Sequence, residues 1–190
     1  MISSSHKALA NLLICKYLTD KTALQKKCFY LGCIQPDKNP ITYLKGSIRH
    51  SALRGHNWYN ARHYILRTLS SLQVCKMASV FDYYKFGKLI HYLADVFTFP
   101  HNNEFGDDLT HHRIYEKELH QELVGQITAG NITTPDIIDL QKHIDNVHSK
   151  YVLPPFTAEK DASYILTICS TVAKQLSNPL NAEQSHNFCI

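Results

Sequence analysis

An all-α domain is the fold class that this sequence predicts, on three observations. Apolar residues recur at helical spacing in six separate stretches. Prolines and glycines break the chain between them. No stretch shows the apolar–polar alternation of a half-buried strand, and no internal repeat or low-complexity segment is present. With 190 residues, a single compact domain spanning 1–190 is expected, large enough to bury a core.

The first helix is expected from Ser5, or a neighbour acting as its cap, to about Leu18. Leu9, Leu12, Leu13 and Cys15 form its apolar side, and His6 lies in its first turn. Residues 29–46 hold Gly32, Pro36, Asp37, Asn39 and Pro40 and read as a loop. A short polar stretch follows, ending in Gly55-His56. A second helix is expected at 60–79, with Tyr64, Ile65, Leu69, Leu72 and Met77 inward, and a third at 81–97. Pro100 prevents continuation of the third. Thr110 is placed to cap a fourth helix at 111–126, bracketed at its end by Gly125 and Gly130. Thr134 and Pro135 suit the cap and first position of a fifth at 136–150. Pro154-Pro155 breaks the chain before a last helix at 158–176, and the tail 178–190 reads as loose.

Composition narrows the function. The formal charge of +4 is modest and spread along the chain without a dense basic run, so charge alone does not argue for nucleic acid. No apolar run approaches the ~18 residues of a membrane span. Met1-Ile2-Ser3-Ser4-Ser5-His6 is too polar for a secretory signal, which predicts a cytoplasmic protein or a chain beginning after a removed signal. The six cysteines form no CxxC pair, sit mostly among apolar residues and read as reduced and structural. The twelve histidines are many for this length, and histidine is the commonest metal ligand.

Two His/acid pairs stand out: His91 with Asp95, and His112 with Glu116. Residues at i and i+4 share a helix face one turn apart, so each pair can point at one ion. A single such pair also stabilises a helix by roughly a few tenths of a kcal/mol. Two pairs flanking Pro100-His101 point instead to more than one metal close together. Imidazole nitrogen and carboxylate oxygen are zinc ligands, and such sites often keep a position for water.

His91-Tyr92-Leu93-Ala94-Asp95, the following His101 and the His112-x-x-x-Glu116 pair resemble the core motif of the zinc-dependent phospholipase C family. That family shares its fold with the S1/P1-type nucleases. Upstream, Gly32-Cys33-Ile34-Gln35-Pro36-Asp37 resembles its Gly-x-x-x-Pro-Asp segment. Gly55-His56-Asn57-Trp58-Tyr59 resembles its His-Phe-Tyr segment, and Ser5-His6-Lys7 its N-terminal Thr-His. The likeness covers residues 1–122 in the right order; the C-terminal third matches only as helix.

The resemblance implies up to three zinc ions. One would take Asp37, His56, His91 and Asp95. A second would share Asp95, with His6 and the chain's N-terminus as ligands. A third would take His101, His112 and Glu116. In the family the N-terminal residue is a tryptophan exposed by signal removal, and its amine and carbonyl chelate zinc. Here Met1 stands first, and the gap from Met1 to His6 matches the nuclease branch. A methionine before bulky Ile2 escapes removal, so its amine would serve. Asp37 would orient or deprotonate the water that attacks a phosphodiester.

Other polar residues read as secondary. His111 points about 100° from His112. Asn103 could bind phosphate or a loop backbone. Glu104, Asp107, Asp108, Asp82 and Glu118 read as solvated. His50, His63, His120, His143, His148 and His186 have no motif context. Tyr59, Tyr92 and Tyr115 read as packing around the ligand helices, and Trp58 as a possible wall of the cleft.

Three functions remain open. The first is phospholipase C-like hydrolysis of a phospholipid, with transient membrane-surface contact through loops of this domain. The second is a single-strand nuclease, for which aromatic platforms for stacked bases would be expected. The third is a non-catalytic helical protein with structural zinc. Glu116, where the nuclease branch resembles it with Asp, and the short length favour the first. Ser3-Ser4-Ser5, Lys38 and Leu53 replace the acid and the two aromatics of the family's bacterial choline-lipid members. A quaternary ammonium cage needs aromatic faces and a negative group, so poor phosphatidylcholine turnover is expected. Oligomeric state is left open.

Overall fold

The computed structural model describes residues 1–38, 58–101, 109–130 and 132–178. They form seven α-helices: α1 (Ser3–Tyr17), α2 (Ala23–Lys38), α3 (Trp58–Cys75), α4 (Val80–Val96), α5 (Leu109–Ala129), α6 (Leu140–Tyr151) and α7 (Ala158–Ser177). A 3-10 turn, Phe99–His101, follows α4. No strand occurs among the described residues, so the all-α expectation is borne out. None of these helices is long and apolar enough to cross a membrane.

The centre of the bundle is α4, which packs on α1, α2, α3 and α7. Ser79 starts it: its hydroxyl accepts from the Asp82 amide while the Asp82 carboxylate accepts from the Ser79 amide, a reciprocal capping box. Asp82 is therefore buried in a cap rather than solvated as expected. From Leu89 through Thr98 every residue is buried, His91 and Asp95 included. After Val96 the backbone tightens, with the Thr98 amide donating to Asp95 O and the His101 amide to Thr98 O. That tightening, with Pro100 in the turn, ends the helix where the proline predicted.

The main departure from expectation is α2. Residues 29–38 are helical, not a loop, although Pro36 lies inside the last turn. A proline there cannot donate to the Gly32 carbonyl one turn back. Tertiary packing outweighs this local penalty: α2 packs on α4 more extensively than any other pair of the described helices pack on each other. The two helices cross at Gly32 and Gly87. A Cβ on Gly32 would strike the Tyr84 carbonyl, and one on Gly87 the Phe29 carbonyl. Only residues without side chains permit so close a backbone approach.

Smaller corrections concern helix ends. Ser5 does not cap α1; it is buried inside the helix, whose N-cap position is Ile2. Described α5 begins at Leu109, so Thr110 lies within it. Gly130, with φ of 75°, ends it in the left-handed region that glycine tolerates. Asp139, not Thr134, caps α6 by accepting from the Lys142 amide. Thr157 caps α7 through the Lys160 amide. Met77 is buried in the turn after α3, at φ of 54°, rather than on that helix. Tyr59 is exposed rather than packed. No disulfide joins the described cysteines. The tail beyond Asn178, and the stretch that includes His56, lie outside the described residues.

Candidate metal centre

Histidines and carboxylates from α1, α2, α4, the 3-10 turn and α5 converge in two adjoining groups. The inner group is His6, His91 and Asp95, all buried. The outer group is His101, His112 and Glu116, all partly exposed. Within each group the potential ligand atoms lie within 4.8 Å of one another.

Asp95 is the centre of the inner group, and its two oxygens face different partners. Oδ1 lies 3.1 Å from His6 Nε2 and 3.1 Å from the Met1 amine. Oδ2 lies 3.2 Å from His91 Nε2. Asp37 Oδ1 stands 3.6 Å from His91 Nε2. The crossing at Gly32 and Gly87 sets this up: Cys33 O, one residue after Gly32, lies 2.8 Å from His91 Nδ1. Nδ1 can donate to that carbonyl, which fixes the tautomer and turns Nε2 toward the carboxylates. The His6 and His91 rings stack, with centroids 3.9 Å apart.

The outer group is tied together at Glu116 Oε1. It lies 3.3 Å from His112 Nε2, 3.9 Å from His101 Nε2 and 3.0 Å from the Met1 amine. The amine is also 3.1 Å from His101 Nε2, so it sits between the two groups.

Opposite charges within the cluster offset the cost of burying them. Burial works against ionised Asp95, yet the amine and the facing histidines hold its carboxyl well below the usual range. Burial likewise opposes ionised Glu116, but His101, His112 and the amine carry its pKa far down. Burial would lower the pKa of the Met1 amine, but Asp95 and Glu116 outweigh it and raise it to about 10, so the amine is protonated here and would have to release its proton to ligate a metal. For His6, burial and the neighbouring His91 lower the pKa to about 4, so the imidazole is neutral, the form that binds a metal.

The fit to a metal can be tested on geometry. An ion with bonds of about 2.0–2.1 Å in tetrahedral arrangement holds its ligand atoms about 3.3 Å apart. The separations of 3.1, 3.2 and 3.3 Å above have that size. His6 Nε2 is buried and has no hydrogen-bond partner among the described residues, although Asp95 Oδ1 is 3.1 Å away. Closeness without hydrogen-bond geometry is what two atoms aimed at a common ion display. The donor set fits zinc.

Of the nine residues expected from sequence, eight are brought together; the ninth, His56, lies outside the described residues. Asp37 reaches the cluster from the last turn of α2 rather than from a loop. Ser3, Ser5 and His120 bear on the site without having been singled out for it. The Ser3 hydroxyl donates to Asp37 Oδ2 at 2.7 Å. Ser5 Oγ meets His120 Nδ1 at 3.0 Å, joining α1 to α5 beside His6. His120 stands four residues after Glu116, so the i, i+4 row continues by one step, a signal the sequence offered. Tyr115 gives its hydroxyl to Asp161 of α7 at 2.8 Å, and so does more than pack. Trp58 stacks on His148, with ring centroids 3.7 Å apart.

Among the described residues, a helical bundle whose central helix carries buried His and Asp toward further histidines and carboxylates defines an all-α fold with a candidate metal centre. A model of the family described as zinc-dependent phospholipase C matches residues 5–175, and the chain belongs to that family. The match reaches well beyond residue 122, where the motif likeness stops, and includes most of α7. No curated protein and no solved structure matches the chain.

Proposed function

We propose that this chain is a zinc-dependent phosphodiester hydrolase that cleaves phospholipids, with up to three zinc ions held by Met1, His6, Asp37, His56, His91, Asp95, His101, His112 and Glu116. The observation that carries this reading is the two-sided contact of Asp95. One oxygen faces His6 and the Met1 amine, and the other faces His91, inside a fully buried stretch of helix. A charged residue in a core is costly unless it is paired or holds a metal, and a carboxylate with both oxygens engaged suits a bridge between two ions.

Zinc in such a site lowers the pKa of water to about 7 and neutralises charge on a phosphoryl group. The residues supply the rest. Asp37 presents Oδ1 toward His91 and has Oδ2 held by Ser3, so it can orient a water and hold its proton during attack on phosphorus. The phosphorus–oxygen bond to diacylglycerol then breaks, the proton passes to the departing oxygen, and a phosphorylated head group remains. His101, His112 and Glu116 form the accessible side, where a substrate phosphate would enter.

Elemental mass spectrometry on tag-free protein beginning at Met1, followed by a screen of phospholipids against single-stranded nucleic acid, tests the reading. Close to three zincs per chain and phospholipid turnover support it. One zinc or none, with no turnover, overturns the enzyme in favour of structural zinc. Turnover of nucleic acid alone replaces the substrate class. Cleavage of a choline lipid as fast as an ethanolamine or anionic one would remove the expected discrimination against choline.

A further inference from the structure

Asp161, in the early part of α7, is fully buried and accepts three hydrogen bonds from three different elements. Its Oδ2 takes the Phe99 amide at 2.7 Å and the Tyr115 hydroxyl at 2.8 Å. Its Oδ1 takes the Tyr151 hydroxyl of α6 at 2.7 Å. Phe99 opens the 3-10 turn that ends in His101, and Tyr115 immediately precedes Glu116. One carboxylate oxygen therefore grips both segments that deliver the outer ligands. The aromatic packing repeats the link: the Phe99 ring meets Tyr115 edge-on, with centroids 5.8 Å apart, and stacks on Phe156 at 4.3 Å.

Burying a carboxylate carries a desolvation cost that its hydrogen bonds must offset. Burial raises the Asp161 pKa to about 6 despite its three donors. Its three bonds tie separate segments together, and the two held by Oδ2 are those that deliver the outer ligands.

We propose that Asp161 is a positioning residue for the outer metal subsite, setting the affinity of His101, His112 and Glu116 for their ion by holding Phe99 and Tyr115 with one oxygen. The inference rests on the zinc reading above. It predicts that the two sides of one carboxylate have different consequences: the Oδ2 side governs metal retention, and the Oδ1 side governs only the docking of α6.

The experiment dialyses full-length, zinc-loaded protein against graded chelator and counts zinc per chain, with thermal unfolding followed in parallel. Tyr115→Phe and Asp161→Ala are expected to lose the most weakly held equivalent at tenfold lower chelator or less, with the remaining equivalents unmoved; partners that orient ligands typically contribute about 10–100-fold in affinity. Asp161→Asn keeps an acceptor oxygen for Phe99 and Tyr115 and should return within about threefold of wild type. Tyr151→Phe should lower the unfolding temperature and leave zinc release unchanged. If Asp161→Ala does not fold, Tyr115→Phe carries the test alone. Zinc release from Tyr115→Phe matching wild type, or from Tyr151→Phe matching Tyr115→Phe, overturns the inference while leaving the zinc reading intact. Failure of the wild type itself to retain zinc overturns both.

Discussion

The inner and outer groups use the same residue types but are supported differently. His6, His91 and Asp95 ride on long helices packed through the centre of the bundle, and their side chains are at most 1% exposed. His91 is also anchored to the Cys33 carbonyl and stacked on His6. His101 sits on a three-residue turn, and His112 and Glu116 lie near the described start of α5, with side-chain exposures of 15%, 30% and 12%. The inner geometry follows directly from helix packing, which resists deformation. The outer geometry depends on separate ties such as Asp161. Under the proposed function, the buried group would fix charge in the core and the accessible group would meet the substrate.

The largest expected effect tests the buried side. Asp95→Asn would remove the charge that faces His6, the amine and His91 together. The expected outcome is loss of two zinc equivalents and a fall in phosphodiester turnover of roughly a thousandfold, corresponding to about 4 kcal/mol. Wild-type turnover with zinc retained would refute the bridging role. Glu116→Gln strikes only the accessible side. It should release one equivalent, leave the others in place and lower turnover roughly a hundredfold, about 3 kcal/mol. Equal zinc loss in both variants would break the distinction between the groups.

Gly32→Ala sharpens the comparison from the backbone. The added methyl would strike the Tyr84 carbonyl and part α2 from α4. Overpacking of this kind costs about 1–3 kcal/mol, measurable by denaturant unfolding. Because Cys33 and Asp37 move with α2, inner zinc should weaken more than outer zinc. Unchanged inner affinity would mean that the crossing does not set the site. The same crossing explains what the sequence showed and what it concealed. His91/Asp95 and His112/Glu116 were legible because helical periodicity alone places each pair on one face. The helix carrying Asp37 was not, because Pro36 and Gly32 are local breakers and only the contact with α4 makes them helical. Asp161 was invisible for a different reason. Its donors at 99, 115 and 151 are brought together solely by tertiary packing, and a lone aspartate early in a helix reads as a favourable first-turn charge. His120 lay between these cases, in helical register with Glu116 but without meaning until Ser5 was found against it.

The smallest effect expected is that of Ser3→Ala. The Ser3 hydroxyl donates to Asp37 Oδ2, leaving Oδ1 toward His91. Asp37 is only 12% exposed and is also held by the helix that carries it, so one hydrogen bond adds to a position already largely set. Losing it should cost about 1 kcal/mol, roughly fivefold in turnover, with zinc per chain unchanged. The change should fall on kcat rather than KM, because Asp37 is proposed to act on the attacking water rather than on the lipid. A change confined to KM would place Ser3 against the substrate instead. Loss of zinc would show that α2 alone does not hold Asp37, and the inner group would then depend on single ties as the outer one does.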